Sequence, residues 1–186
     1  MSGTTLDGED DRDVAIVSAQ LGRELLATPT VVARCGLGLP IVVRVPPVTH
    51  AGEPFPTRYW LVCPLAHRRV ARLEARGDVT RYETRLANDA AFRAAMEEAH
   101  ADYAAERDRE IPSGALLRPR GGVAGIRAGV KCLHAHLAHA LGGGRNPCGA
   151  EVAAEVEPLD CERACVSFVD GVARRDPAWR EPRSPD

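Results

Sequence analysis

Lysine is nearly absent from this 186-residue sequence: Lys131 is the only one among 24 basic side chains, the rest being arginine. Asparagine occurs only at Asn88 and Asn146. Where arginine supplies every other cation, a single lysine marks a position that suits a compact ammonium better than a planar guanidinium. Aromatic residues are also scarce, at 4% of the chain. No stretch approaches the roughly 20 apolar residues that a membrane-spanning helix needs. The early acidic cluster Asp7, Glu9, Asp10 and Asp11 is the reverse of the basic start of a signal peptide, so a cytoplasmic location is expected. An excess of charge is missing too. Twenty-four basic against 26 acidic residues give a formal charge of −2 with no basic stripe, which argues against nucleic acid as a main partner.

What is present is the balance of a folded domain, with 45% hydrophobic and 27% charged residues. The length suits one domain able to bury a core without staples. Six cysteines in a cytosolic chain point to buried thiols, metal ligands or reactive groups rather than a disulfide framework. The expected organisation is a disordered leader over 1–10, one α+β domain over 11–175 and a frayed tail over 176–186.

Residues 11–21 place Val14, Val17 and Leu21 at helical spacing. Val31–Val32, Ile41–Val45 and Arg58–Cys63 read as strands, the first two joined by the Gly-rich turn Cys35–Pro40. Together they predict a small antiparallel three-stranded sheet packed by about four to five helices. The intervening 46–57 segment holds four prolines and reads as a stiff loop. A helix starts at Pro64 and ends near Gly77. Asn88 is a candidate N-cap for a longer one, with Phe92, Met96, Ala99 and Tyr103 on its buried face and Pro112 beyond its end. Residues 113–125 read as a loop, and 128–141 as a final helix stopped by Gly142-Gly-Gly144.

That final helix carries the densest chemistry, Val130-Lys-Cys-Leu-His-Ala-His-Leu-Ala-His139. On a continuous helix Cys132, His136 and His139 share a face opposite Val130, Leu133, Leu137 and Leu141, with His134 at the edge. Three zinc-type ligands then converge, and Cys35 or Cys63 at the strand ends is the candidate fourth. The plain alternative is a packed cysteine beside half-exposed histidines. A second use of the same residues makes Cys132 a nucleophile, His136 or His139 its base and Lys131 the charge favouring the thiolate. The pair Cys161 and Cys165 has no histidines beside it and gives a weak signal. Gly142–Pro147 is better explained as a helix stop than as an anion loop. The aromatic, proline-rich stretch 53–60 reads first as a structural anchor and second as a rigid ligand wall.

On these blocks the chain resembles an uncharacterised, mainly actinobacterial family known as domain of unknown function 501. The resemblance rests on Cys35-Gly-Leu-Gly-Leu-Pro40, Gly52-Glu-Pro-Phe-Pro-Thr-Arg-Tyr-Trp-Leu-Val-Cys-Pro64, Arg72-Leu-Glu-Ala-Arg-Gly77, Val130-Lys-Cys-Leu-His134 and Ala138-His139, over roughly residues 14–150. It implies no established activity, and a genomic setting beside a septum-formation initiator and an exopolyphosphatase-like enzyme. The family pattern matches Cys35, Cys63, Lys131, Cys132, His134 and His139 but not position 136, which moves the working histidine to the apolar side. The resulting expectation is a metal site of Cys35, Cys63, Cys132 and His134 or His139 with zinc as the candidate ion, flanked by Lys131 and Arg58 as anion-contacting groups. Two rivals stand beside it. One is a non-catalytic interaction protein of cell division or septum formation, and the other a cysteine- or metal-dependent hydrolase of phosphorylated substrates. The partner is accordingly a small molecule or a protein.

Overall fold

The computed structural model describes residues 8–182. The expected 1–10 leader therefore lies largely outside the described residues, as does the end of the tail. Helix α1 (Gly8–Leu21) precedes strands β1 (Thr30–Arg34), β2 (Pro40–Arg44) and β3 (Tyr59–Leu61), which form an antiparallel sheet in the order β1-β2-β3. This is the meander expected from the β-branched runs. Its register sets Val42 opposite Leu61 and Arg44 opposite Tyr59. The β1–β2 turn closes through Gly38 N–H donating to the Cys35 carbonyl at 2.8 Å.

Five helices follow: α2 (Pro64–Ala75), α3 (Asp78–Asn88), α4 (Ala90–Arg109), α5 (Leu133–Leu141) and α6 (Pro147–Val156). The chain finishes in a hairpin of β4 (Val166–Val169) and β5 (Val172–Arg175). The fold is α+β, with six helices and an additional two-stranded sheet among the described residues.

Besides the unexpected α3, α6 and hairpin, three departures from the sequence expectation have local reasons. The α4 N-cap is Asp89, whose carboxylate accepts from the Phe92 N–H at 3.0 Å, whereas Asn88 ends α3 and donates to the Thr84 carbonyl at 2.8 Å. The four buried residues expected on α4 are all in place, Phe92, Met96, Ala99 and Tyr103. The final helix begins at Leu133, five residues later than expected, because Gly129 adopts φ +92 and Cys132 is extended at φ −153, ψ 117. Beyond β5, Trp179 is 9% exposed and belongs to the main core, which also ties down the segment that follows the hairpin.

The core sits between the sheet and the helices, and α5 is its centre. Leu133, Leu137 and Ala138 are fully buried there, packed with Val42, Leu61, Leu65, Val70 and Val152. Helix α6 crosses α5 so closely that a Cβ on Gly149 would lie 2.1 Å from the His136 carbonyl oxygen. Helix α1 covers the other end of the sheet and the β4–β5 hairpin, held by Arg175, whose guanidinium donates to the Ala19 and Gln20 carbonyls at 2.8 and 2.5 Å.

Candidate functional site

The late start of α5 rearranges the reactive residues. Cys132 is the residue before the helix, so it shares no helical face with His136 and His139. It lies instead beside His134, with 3.8 Å between Sγ and Nδ1. Glu74, from the last turn of α2, completes the group: its Oε1 is 3.2 Å from the same Nδ1. Among the described residues, Glu74, Cys132 and His134 form the one trio of such ligand atoms that all lie within 4.8 Å of one another.

Each member is held by a second contact. The Leu133 N–H, an unpaired donor at the start of α5, gives its hydrogen to Glu74 Oε1 at 2.7 Å. His134 Nε2 is 3.2 Å from the His67 carbonyl, an acceptor only, so Nε2 carries the hydrogen. The other nitrogen, Nδ1, therefore faces both sulfur and carboxylate, offering a lone pair when the ring is neutral and an N–H when it is protonated. Burial alone would lower the His134 pKa, but the hydrogen bond with Cys132 and the negative charge of Glu74 outweigh it and hold the pKa above the ordinary imidazole value.

Cys132 and His134 line a cleft of about 450 Å³, with Glu74 behind them. Leu21, Tyr59, Trp60, Leu61, Ala124 and Ala135 give it an apolar wall, while His67, Arg23 and Lys131 are its polar members. The Arg23 guanidinium lies over the Trp60 ring, 4.5 Å from its centroid, and Lys131 is exposed. The 53–60 stretch thus contributes Trp60 to the wall, with Phe55 packed on it at 5.3 Å between ring centroids.

The other residues singled out from sequence lie elsewhere. His139 is buried between Tyr59 and Tyr103, and Asn146 Nδ2 donates toward both its Nδ1, at 3.2 Å, and the Nδ1 of His136, at 3.0 Å. Burial pushes the pKa of His136 down to about 3 and that of His139 to about 4, so both are neutral packing residues. Cys35 and Cys63 are not brought to Cys132. Cys63 is buried at the start of α2, and Cys35 packs beside Leu39 and Cys165.

Arg58 is 0% exposed, and its two terminal nitrogens donate to Glu110 at 2.8 and 2.5 Å. Its charge is compensated inside the fold, so it does not flank the Cys132 group. Glu74 is not legible as a site residue in the sequence because it joins the site from another helix; the Arg72–Gly77 block that contains it reads as a helix end and as part of the family resemblance.

A protein-family model described as "Protein of unknown function (DUF501)" matches residues 31–154, a segment that contains Glu74, Cys132, His134 and Lys131. No curated protein and no solved structure matches the chain.

Proposed function

The chain belongs to the DUF501 family, whose description assigns no chemistry, and from the site itself we propose that it binds zinc through Glu74, Cys132 and His134 and hydrolyses a small phosphorylated substrate in the adjoining cleft. The observation that carries this reading is the convergence of sulfur and carboxylate on one nitrogen, His134 Nδ1. Ordinary zinc bond lengths place N and O ligands of a tetrahedral ion about 3.3 Å apart and N and S ligands about 3.6 Å apart. The separations of 3.2 and 3.8 Å match. The outer contacts match as well, since a ligating imidazole donates its other N–H to a carbonyl and a ligating carboxylate accepts a further hydrogen bond.

Held by Glu74, Cys132 and His134, zinc would supply a bound water that ionises near pH 7. Around that site the chain's own residues supply binding. Lys131 and Arg23 are the cations for an anionic group, and Trp60 and Leu61 form the wall for an apolar portion. A cysteine nucleophile is less well supported by the geometry. A catalytic imidazole relays a proton between an acid on one nitrogen and a nucleophile on the other, yet here both partners meet the same Nδ1.

The test is turnover of a chromogenic phosphomonoester by the zinc-loaded full chain. The expected result is hydrolysis that a chelator abolishes and zinc restores, with Lys131→Ala raising KM more than it lowers kcat. Hydrolysis that survives chelation, or none at all with zinc bound, contradicts the hydrolase reading. An interaction role draws on one observation, the exposure of Leu116 at 98% and Leu117 at 61%. Unchanged turnover in a Leu116→Ser, Leu117→Ser variant separates that surface from the cleft.

A further inference from the structure

Beside the cleft of Cys132 and His134, a second cleft of about 620 Å³ opens between the end of α1, the start of α2 and the segment that follows β5. Leu21 and His67 line both, while Glu74, Cys132 and His134 line no part of the second. Its wall brings together three guanidiniums from distant parts of the chain, those of Arg68, Arg175 and Arg180.

What holds each of the three is neutral. Arg68 lies over the ring of Trp179, 4.9 Å from its centroid, and that ring is fixed by burial in the core. Arg175 donates from Nε and Nη2 to the Ala19 and Gln20 carbonyls at 2.8 and 2.5 Å. Arg180 donates from Nη1 to the Pro177 and Trp179 carbonyls, both at 2.8 Å. A carbonyl or an aromatic face orients a guanidinium without cancelling its charge. Arg58, Arg76 and Arg163, in contrast, are each neutralised by a carboxylate at 2.5 Å. Among the described residues no carboxylate pairs with Arg68, Arg175 or Arg180, and each keeps N–H groups without an acceptor.

The acids nearby are already engaged. Asp176, the carboxylate on the wall, bonds Arg163 at 2.5 Å and accepts from the Ala178 N–H at 2.8 Å. Glu181, whose carboxylate feels the charge of Arg68, is bonded by Arg72 at 2.5 and 3.1 Å. Helix α2 adds to the positive field, since its first residue, Pro64, lines the cleft and its first turn carries no acid. Three oriented cations with spare donors, in a concave site of a size that takes small organic ligands, are the surroundings of a bound polyanion.

Charge and number select the anion. A single phosphate carries at most about two charges at pH 7 and leaves one guanidinium unmet, whereas two linked phosphates can meet all three. We propose that this cleft binds a diphosphate group, with Arg68, Arg175 and Arg180 as the residues that hold it. The proposal is independent of the zinc reading and uses none of its ligands.

The experiment is calorimetric titration of inorganic pyrophosphate into the full chain stripped of metal, so that no zinc can hold the anion. Wild type, Arg68→Gln, Arg180→Gln and Lys131→Ala are compared, and inorganic phosphate is titrated in parallel. The expected result is one pyrophosphate per wild-type chain, with affinity unchanged in Lys131→Ala. Arg68→Gln and Arg180→Gln should each weaken it at least about tenfold, the scale of one charge-assisted hydrogen bond. Both side chains are exposed, so far-ultraviolet circular dichroism should stay that of the wild type. Phosphate should bind more weakly than pyrophosphate by a similar factor. Displacement of bound pyrophosphate by ADP assigns the group to an organic ester, and failure of ADP to displace it assigns the free anion. No binding of pyrophosphate, equal affinity for phosphate, or binding lost in Lys131→Ala and retained in Arg68→Gln and Arg180→Gln overturns the proposal.

Discussion

Glu74 does two things with one carboxylate: it caps the start of α5 through Leu133 and faces His134. The two roles separate by substitution, because glutamine keeps an oxygen for the Leu133 N–H but loses the charge and basicity of a ligand. Glu74→Gln is therefore expected to weaken zinc binding by at least about tenfold, the scale on which zinc-site residues act, while leaving the melting temperature nearly unchanged. Competition with a chromogenic chelator and a thermal melt check both halves, and equal zinc affinity in the variant contradicts the ligand role. Residue by residue, Lys131, Cys132 and His134, neighbours in the sequence, line one cleft in the structure. The sequence did not reveal Glu74, 58 positions before Cys132, because nothing local marks a carboxylate that a helix turn brings across the core. Arg58 stood out for its setting among aromatics, yet the carboxylate that neutralises it, Glu110, lies at the end of α4.

At the scale of elements, the strands and α4 were legible because β-branched runs and a buried helical stripe are local patterns. The start of α5 was not. Its sequence continues a helical spacing back to residue 128, but Gly129 turns to positive φ and the Val130 N–H is taken by Glu83. A tertiary partner thus overrides the local period, and with it the inferred alignment of Cys132, His136 and His139. The C-terminal hairpin has its own local signal: Asp170-Gly171, both at positive φ, is the two-residue turn that joins antiparallel strands. Helix α6 is set by contact rather than by period. With Gly149 close against the His136 carbonyl, Gly149→Ala forces α5 and α6 apart and is expected to cost about 1–3 kcal/mol, as overpacking does. Denaturant unfolding measures it, and an unchanged midpoint contradicts the close crossing.

For the molecule as a whole, the buried histidine layer between β3, α4 and α5 sets an acid limit on stability. His139 faces Tyr59 of β3 and Tyr103 of α4, lies beside Asn146 and His136, and feels the charges of Glu106, Asp102 and His100 of α4. Burial is the largest influence and holds its folded pKa at about 4, below the ordinary 6.5. The sign follows from proton uptake: between these values the unfolded ring binds a proton that the folded ring refuses, so unfolding takes up a proton and stability falls as pH falls. The contribution is complete above pH 6.5 and lost progressively down to about 4. Its slope is at most about 1.4 kcal/mol per pH unit for one ring. Urea midpoints across this range should fall less steeply in His139→Gln than in the wild type, and parallel curves contradict the assignment. No described helix is long and apolar enough to cross a membrane, in keeping with the composition.

The central claim, a zinc ion held by Glu74, Cys132 and His134, is tested most directly by elemental analysis of the full chain purified without a histidine tag. Wild type, Cys132→Ser and Cys161→Ser are compared after identical preparation. The account predicts close to one zinc per chain in the wild type and in Cys161→Ser, and almost none in Cys132→Ser. Zinc retained in Cys132→Ser, or absent from all three after exposure to zinc, contradicts it.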